Sequence, residues 1–144
     1  MKRTVGIIKP EAIERGLVKT IIERIVGADL IIESLVCRKL SPEEFDLIYG
    51  DVQEPKWLHD KRKKYLVSKE VILLKIKGEN AEKKLLEIRG CSNPKDALPG
   101  TIRGDFAKDQ DYVKLRRQKK IALNIFHACD TEQEANNLIM KLGL

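Results

Sequence analysis

A chain of 144 residues, 42% hydrophobic and 35% charged, holds enough apolar material for one core beneath a very polar surface, and residues 1–144 read as a single domain. That balance excludes a disordered tail, and no apolar run is long enough to cross a bilayer. With aromatics at 5% the core must be mainly Ile, Leu and Val, and a net charge of +6 makes a surface that attracts polyanions.

The first predicted element is a short apolar strand, Thr4–Ile8, that stops at Lys9-Pro10. Val18, Ile21, Ile22, Ile25 and Val26 then fall at the i, i+3, i+4, i+7 and i+8 spacing of one helical stripe, with Gly27 as its stop. Leu30–Lys39 reads as the second strand. Ser41-Pro42-Glu43-Glu44 is a capping-box start, and the helix it opens runs to about Tyr49-Gly50. A further helix is predicted over Trp57–Leu66, a third strand over Val71–Lys77 and a helix over Ala81–Ile88. Gly90–Gly100 is a long loop marked by its prolines and glycines. Ala122–Phe126 is predicted as the fourth strand, and the capping box at Thr131 opens a last helix to about Leu142. The order implies an α+β, ferredoxin-like sandwich: a four-stranded, mainly antiparallel sheet with helices on one face.

The opening sixteen residues lack the apolar core of a signal peptide, so a soluble, cytoplasmic chain is the expectation. Cys37, Cys91 and Cys129 are widely spaced with no CxxC, which argues against a disulfide framework or a zinc site. The chain has no GxxxxGK[ST], no GxGxxG after a strand and no HExxH. P-loop kinases, dinucleotide-binding folds and zincins therefore lack support. The basic runs Lys56–Lys64 and Lys108–Lys120 suit polyanions, but they lack the interleaved aromatics of a single-strand binder, so nucleic acid is not the expected partner.

Three segments carry chemistry together that none carries alone. Lys9, at a strand end, can neutralise phosphate, although by itself it reads as an exposed lysine. In Pro99–Phe106 two glycines flank Arg103, which can clamp phosphate oxygens where a plain turn is the simpler reading. In Asn124–Asp130, His127 ends an apolar strand just before a helix N-terminus. A neutral imidazole is a competent nucleophile toward phosphorus, although a lone strand histidine is more often a core residue. Nucleophile, two cations and a backbone cradle suit phosphoryl transfer.

At these residues the sequence resembles the nucleoside diphosphate kinase family. Ile7 through Ala12, Arg15 through Val18, Ser92-Asn93-Pro94, Pro99 through Phe106 and Asn124 through Asp130 carry the likeness, in order, over nearly the whole chain. The resemblance implies ping-pong transfer of a terminal phosphate between nucleoside tri- and diphosphates through a phosphohistidine at His127. It implies that Lys9, Tyr49, Arg103 and Asn124 line the nucleotide site, Lys9 and Asn124 at the sugar and Lys9 also at phosphate. Tyr49 would position the histidine, Ser92 would donate to phosphate where relatives have threonine, and Trp57 would stack on the base. Mg²⁺ carried with the phosphates and a homo-oligomer are further expectations.

The chain departs from the family at three places. Leu86 stands where an arginine is usual, with Arg89 nearby but about 60° round the helix by ordinary geometry. Leu138 stands where a glutamate orients the histidine. These two leucines keep open an alternative, a weakened relative that binds nucleotides or partners. Ala107–Leu123 is longer than usual; it suits a rim of the site, an oligomer contact or a solvated loop, and the solvated loop is the expectation. Finally, Asn124 and His127 would point to opposite faces of a regular strand, so both can line one pocket only where the strand bends.

Overall fold

The computed structural model describes residues 1–144. Strand β1 (Lys2–Ile8) is followed by a short helix α1 (Pro10–Glu14), helix α2 (Val18–Gly27) and strand β2 (Ile31–Lys39). Helices α3 (Pro42–Tyr49) and α4 (Lys56–Leu66) lead to strand β3 (Glu70–Gly78) and helix α5 (Ala81–Arg89). Two short helices, α6 (Ile102–Phe106) and α7 (Tyr112–Arg117), precede strand β4 (Phe126–Ala128) and the last helix, α8 (Glu132–Leu142).

The strands make one antiparallel sheet in the order β2-β3-β1-β4, the ferredoxin-like α+β arrangement that the element order predicts. One expectation needs correction: helices cover both faces of the sheet. Ile8, Ile72, Leu74 and Ile76 pack with Ile21 and Ile25 of α2 and Leu85 of α5 on one side. Val5, Ile7, Val71 and Leu73 pack with Phe45 and Tyr49 of α3 and Leu138 of α8 on the other. Central strands buried on two sides read as continuous apolar runs, and β1 and β3 do.

Local chemistry fixes where helices begin. Ser41 accepts a hydrogen bond from the Glu44 N–H at 3.1 Å, and its own N–H donates to the Glu44 carboxylate at 3.0 Å. Thr131 accepts from the Glu134 N–H at 3.1 Å, but the Glu134 carboxylate takes the Asp130 N–H instead of closing the box on Thr131. Such caps contribute about 1 kcal/mol each.

The fourth strand starts later than the apolar run suggests. Ile125 has φ of 63°, so the chain kinks there and β4 covers only Phe126–Ala128. A left-handed β-branched residue stores about 1–3 kcal/mol and persists only where its surroundings enforce it. The buried Glu11 carboxylate accepts the Ile125 N–H at 3.1 Å, and the Lys9 N–H donates to the Ile125 carbonyl at 3.1 Å. This kink resolves the parity conflict between Asn124 and His127.

Candidate active site

The kink delivers His127 to the sheet face shared by α3 and α8. In the β1–β4 register His127 lies opposite Ile7, so its side chain points to the side where Ile7, Phe45 and Tyr49 pack. There it forms the floor of a cleft of about 210 Å³ walled by α4, the loop after α5, α6 and α7. Lys9, Tyr49, Ser92, Arg103 and Asn124 line the same cleft. So do Arg62, Arg89, Tyr112 and Arg116.

Each predicted residue is positioned by its own piece of chain. Pro10 occupies the first position of α1, which leaves Lys9 extended at φ −83°, ψ 162° as the residue before proline requires. Lys9 is 4% exposed, and its ammonium lies 5.7 Å from the centre of the Tyr49 ring. Burial lowers its pKa to about 7; Glu11 opposes the shift, and Arg62 and Arg103 add to it. Arg103 donates to the carbonyls of Cys91 (3.2 Å), Ser92 (3.1 Å) and Phe126 (2.9 Å), tying the long loop to β4. Burial first, and then the neighbouring Arg89, lowers the Arg103 pKa to about 9.

Tyr49 stacks on Phe45 at 5.0 Å between ring centroids and stands 5.3 Å from the His127 ring. Burial pushes its phenol pKa up, so the hydroxyl stays protonated and able to donate. The His127 imidazole is held down at about 3, by desolvation first and then by Lys9, Arg103, Arg89 and Arg62. It is therefore neutral at ordinary pH, as a nucleophile must be. Two buried polar atoms among the predicted residues lack any partner within the protein, the Arg103 Nε donor and the Asn124 Oδ1 acceptor. Buried polar groups are normally satisfied, so these two atoms are exceptions beside the cleft that their residues line.

Trp57 is the exception among the predicted residues. It is not in the cleft lining, and the Lys119 ammonium lies 4.4 Å from its ring centre. Lys61 also donates to the Lys119 carbonyl, so Trp57 belongs to the joint between α4 and the segment after α7. The expectation of a merely solvated insertion is corrected as well: Tyr112 and Arg116 of α7 rim the cleft, with the Arg116 guanidinium 4.6 Å from the Tyr112 ring centre.

Arg62 belongs to no motif of the sequence, and Arg89 has no fixed role there, yet both line the cleft. On α4 Leu58 and Leu66 are 1% and 2% exposed, and Arg62 falls between them at four-residue spacing. A charge inside an apolar stripe was the available signal. Arg89 reaches the cleft although Leu86 does not, because it is the last residue of α5 and its side chain turns toward Asp130, 4.0 Å away. Leu138 lines a second cavity of about 320 Å³ that meets the cleft at His127, with Glu134 and Asn137 beside it.

A family model described as nucleoside diphosphate kinase matches residues 2–142. The chain is 36% identical to a nucleoside diphosphate kinase of Campylobacter hominis over 139 residues, 96% of this chain and 93% of the relative. It is 34% identical to the Streptococcus pneumoniae enzyme over 140 residues, 96% of this chain and 97% of that one. Among solved structures, an NDP kinase from Pyrobaculum aerophilum superposes with a TM-score of 0.85 at 26% identity, covering 96% of this chain and 93% of that one. A Borrelia burgdorferi nucleoside-diphosphate kinase, solved with vanadate and ADP, gives 0.88 at 22% identity, covering 96% and 84%, a likeness of fold. With a family model matched over residues 2–142 and relatives above 30% identity across nearly the whole chain, the chain belongs to the nucleoside diphosphate kinase family.

Proposed function

We propose that this chain moves the terminal phosphate of a nucleoside triphosphate onto a nucleoside diphosphate, with the His127 imidazole as the carrier. A neutral imidazole nitrogen attacks the terminal phosphorus, a new N–P bond forms, and the P–O bond to the departing diphosphate breaks. Lys9 and Arg103, with Arg89 beside them, neutralise charge on the phosphoryl oxygens, and the Tyr49 hydroxyl donates to them. Asn124 meets a sugar hydroxyl, and the Ser92 hydroxyl donates to phosphate. A second diphosphate then reverses the step from the same cleft. One set of cations thus serves both half-reactions. The observation that carries this reading is the uncharged His127 ring on the floor of a cleft lined by Lys9, Arg62, Arg89 and Arg103.

Mg²⁺ fits as a passenger of the substrate. No grouping of three His, Cys, Asp or Glu is placed to hold a metal, and the charged residues lining the cleft are Lys9, Arg62, Arg89, Arg103 and Arg116 against Asp130 alone. Carried with the phosphates, the ion would supply neutralisation of their charge. We further infer that residues 1–144 work as one domain, in a homo-oligomer and in the cytoplasm. Ile31 and Leu35 on the edge strand β2 are 54% and 49% exposed, which suits a partner copy. No helix is long and apolar enough to cross a membrane. Leu138 beside the imidazole keeps a second reading, a slow enzyme, in view.

Steady-state turnover tests the proposal. Initial rates measured at several fixed diphosphate concentrations should give parallel double-reciprocal lines, the mark of a ping-pong cycle. Converging lines would point to direct transfer between two nucleotides bound together, and no turnover would count against the kinase reading.

A further inference from the structure

Arg62 is held in a way that a purely structural ion pair does not require. Its Nη2 lies 2.8 Å and its Nε 3.3 Å from the two oxygens of Glu54. The Glu54 side chain is 1% exposed and is also met from the other side by His59 Nδ1 at 3.3 Å. Glu54 therefore fixes one edge of the guanidinium. The opposite edge, Nη1, makes no hydrogen bond within the protein, yet it is not among the sealed-off polar atoms. Arg62 lines the same cleft as His127 and its side chain is 13% exposed, so its remaining N–H groups are the ones left for a ligand there. The Arg62 charge also bears on Lys9 and His127 across the cleft. Like charges gathered this way repel in the empty protein, and a polyphosphate relieves that repulsion.

We propose that Arg62 is a phosphate-binding residue for the nucleotide and that Glu54 is the positioning residue that presents it. The proposal rests on the kinase reading of the cleft. It adds from α4 a further cation to the one that Arg89 brings from the end of α5. Arginine suits the task because two parallel N–H groups can remain free for phosphate while two others bind the carboxylate.

The test titrates ADP and, separately, adenosine into wild type, R62M, R62K and E54Q, following amide chemical shifts by NMR. Charged hydrogen bonds of this kind set the expected loss for ADP in R62M at roughly 10- to 100-fold. R62K, which keeps the charge and the stem but not the fork, should lose roughly tenfold, and E54Q a smaller amount. Adenosine binding should stay within about twofold in all of them, because the nucleoside carries no phosphate. ADP affinities near wild type in both R62M and R62K would overturn the proposal. Parallel loss of ADP and adenosine would overturn it too, since that is what a damaged cleft gives. Phosphorylation of wild-type His127 by ATP is scored separately. Its absence would remove the kinase reading, whereas its presence with ADP binding insensitive to Arg62 would remove only this assignment.

Discussion

The Tyr49 ring lies 5.3 Å from the His127 imidazole, centroid to centroid, with the two planes tilted by 55°. The tyrosine is 5% exposed and braced from behind by Phe45, so it limits how far the histidine can turn. Tyr49→Phe keeps that brace and removes only the hydroxyl. It should slow phosphoenzyme formation by roughly 10- to 100-fold, the scale of losing one donor to a transition state. Tyr49→Ala removes the packing as well and should destabilise the fold by about 3–5 kcal/mol. Rapid-quench kinetics and thermal melts separate the two effects.

The pH dependence follows from two depressed groups. His127 titrates near 3 and Lys9 near 7 in the folded chain, against ordinary values of 6.5 and 10.5. Activity should therefore show no histidine ionisation near 6.5, and kcat/KM should fall as pH rises through about 7 and Lys9 loses its charge. For stability, the unfolded chain binds more protons than the folded one between about 3 and 6.5 through His127, and between about 7 and 10.5 through Lys9. Stability therefore rises with pH across both windows and is lost as pH falls through them. Chemical denaturation against pH checks this, and His127→Ala should flatten the acid window.

Leu138 is 3% exposed and packs in the core that contains Tyr49 and Phe45. Leu138→Ala should cost about 2–5 kcal/mol through the cavity it leaves. Leu138→Glu places a carboxylate near the imidazole and should raise the His127 pKa while lowering the melting temperature. NMR titration of the His127 ring reads the first effect and calorimetry the second.

Trp57 and Tyr112 should behave differently, because only Tyr112 lines the cleft. Tyr112→Ala should raise the nucleotide KM by roughly tenfold, within the range of losing one stacking or edge contact to a base. Trp57→Ala should leave KM nearly unchanged and loosen the joint with Lys119. KM measured for several nucleotides distinguishes them.

Much of this molecule is legible in its residues. The helix over Val18–Gly27, the Ser41 cap and the strands around Ile7 and Leu73 follow from spacing and capping alone. Lys9, Arg103 and His127 stand out from their own segments and Tyr49, Ser92 and Asn124 from the family resemblance, and all six line one cleft. What could not be read depends on tertiary support. The left-handed turn at Ile125 contradicts its own β-branched preference and exists because Glu11, distant in sequence, accepts its N–H. The place of Arg62 needs Glu54 and α4 docked together. The turn of α7 toward the cleft uses Asn93, which accepts the Tyr112 N–H at 3.1 Å. Local periodicity carries none of these partners.

The most direct measurement is incubation of the purified chain with ATP labelled on its terminal phosphate, in the presence of Mg²⁺, followed by denaturing separation at alkaline pH. One labelled, acid-labile phosphohistidine at residue 127 is expected, discharged by added diphosphate and missing from His127→Ala. An unlabelled wild type, or equal labelling of the His127→Ala protein, would contradict it.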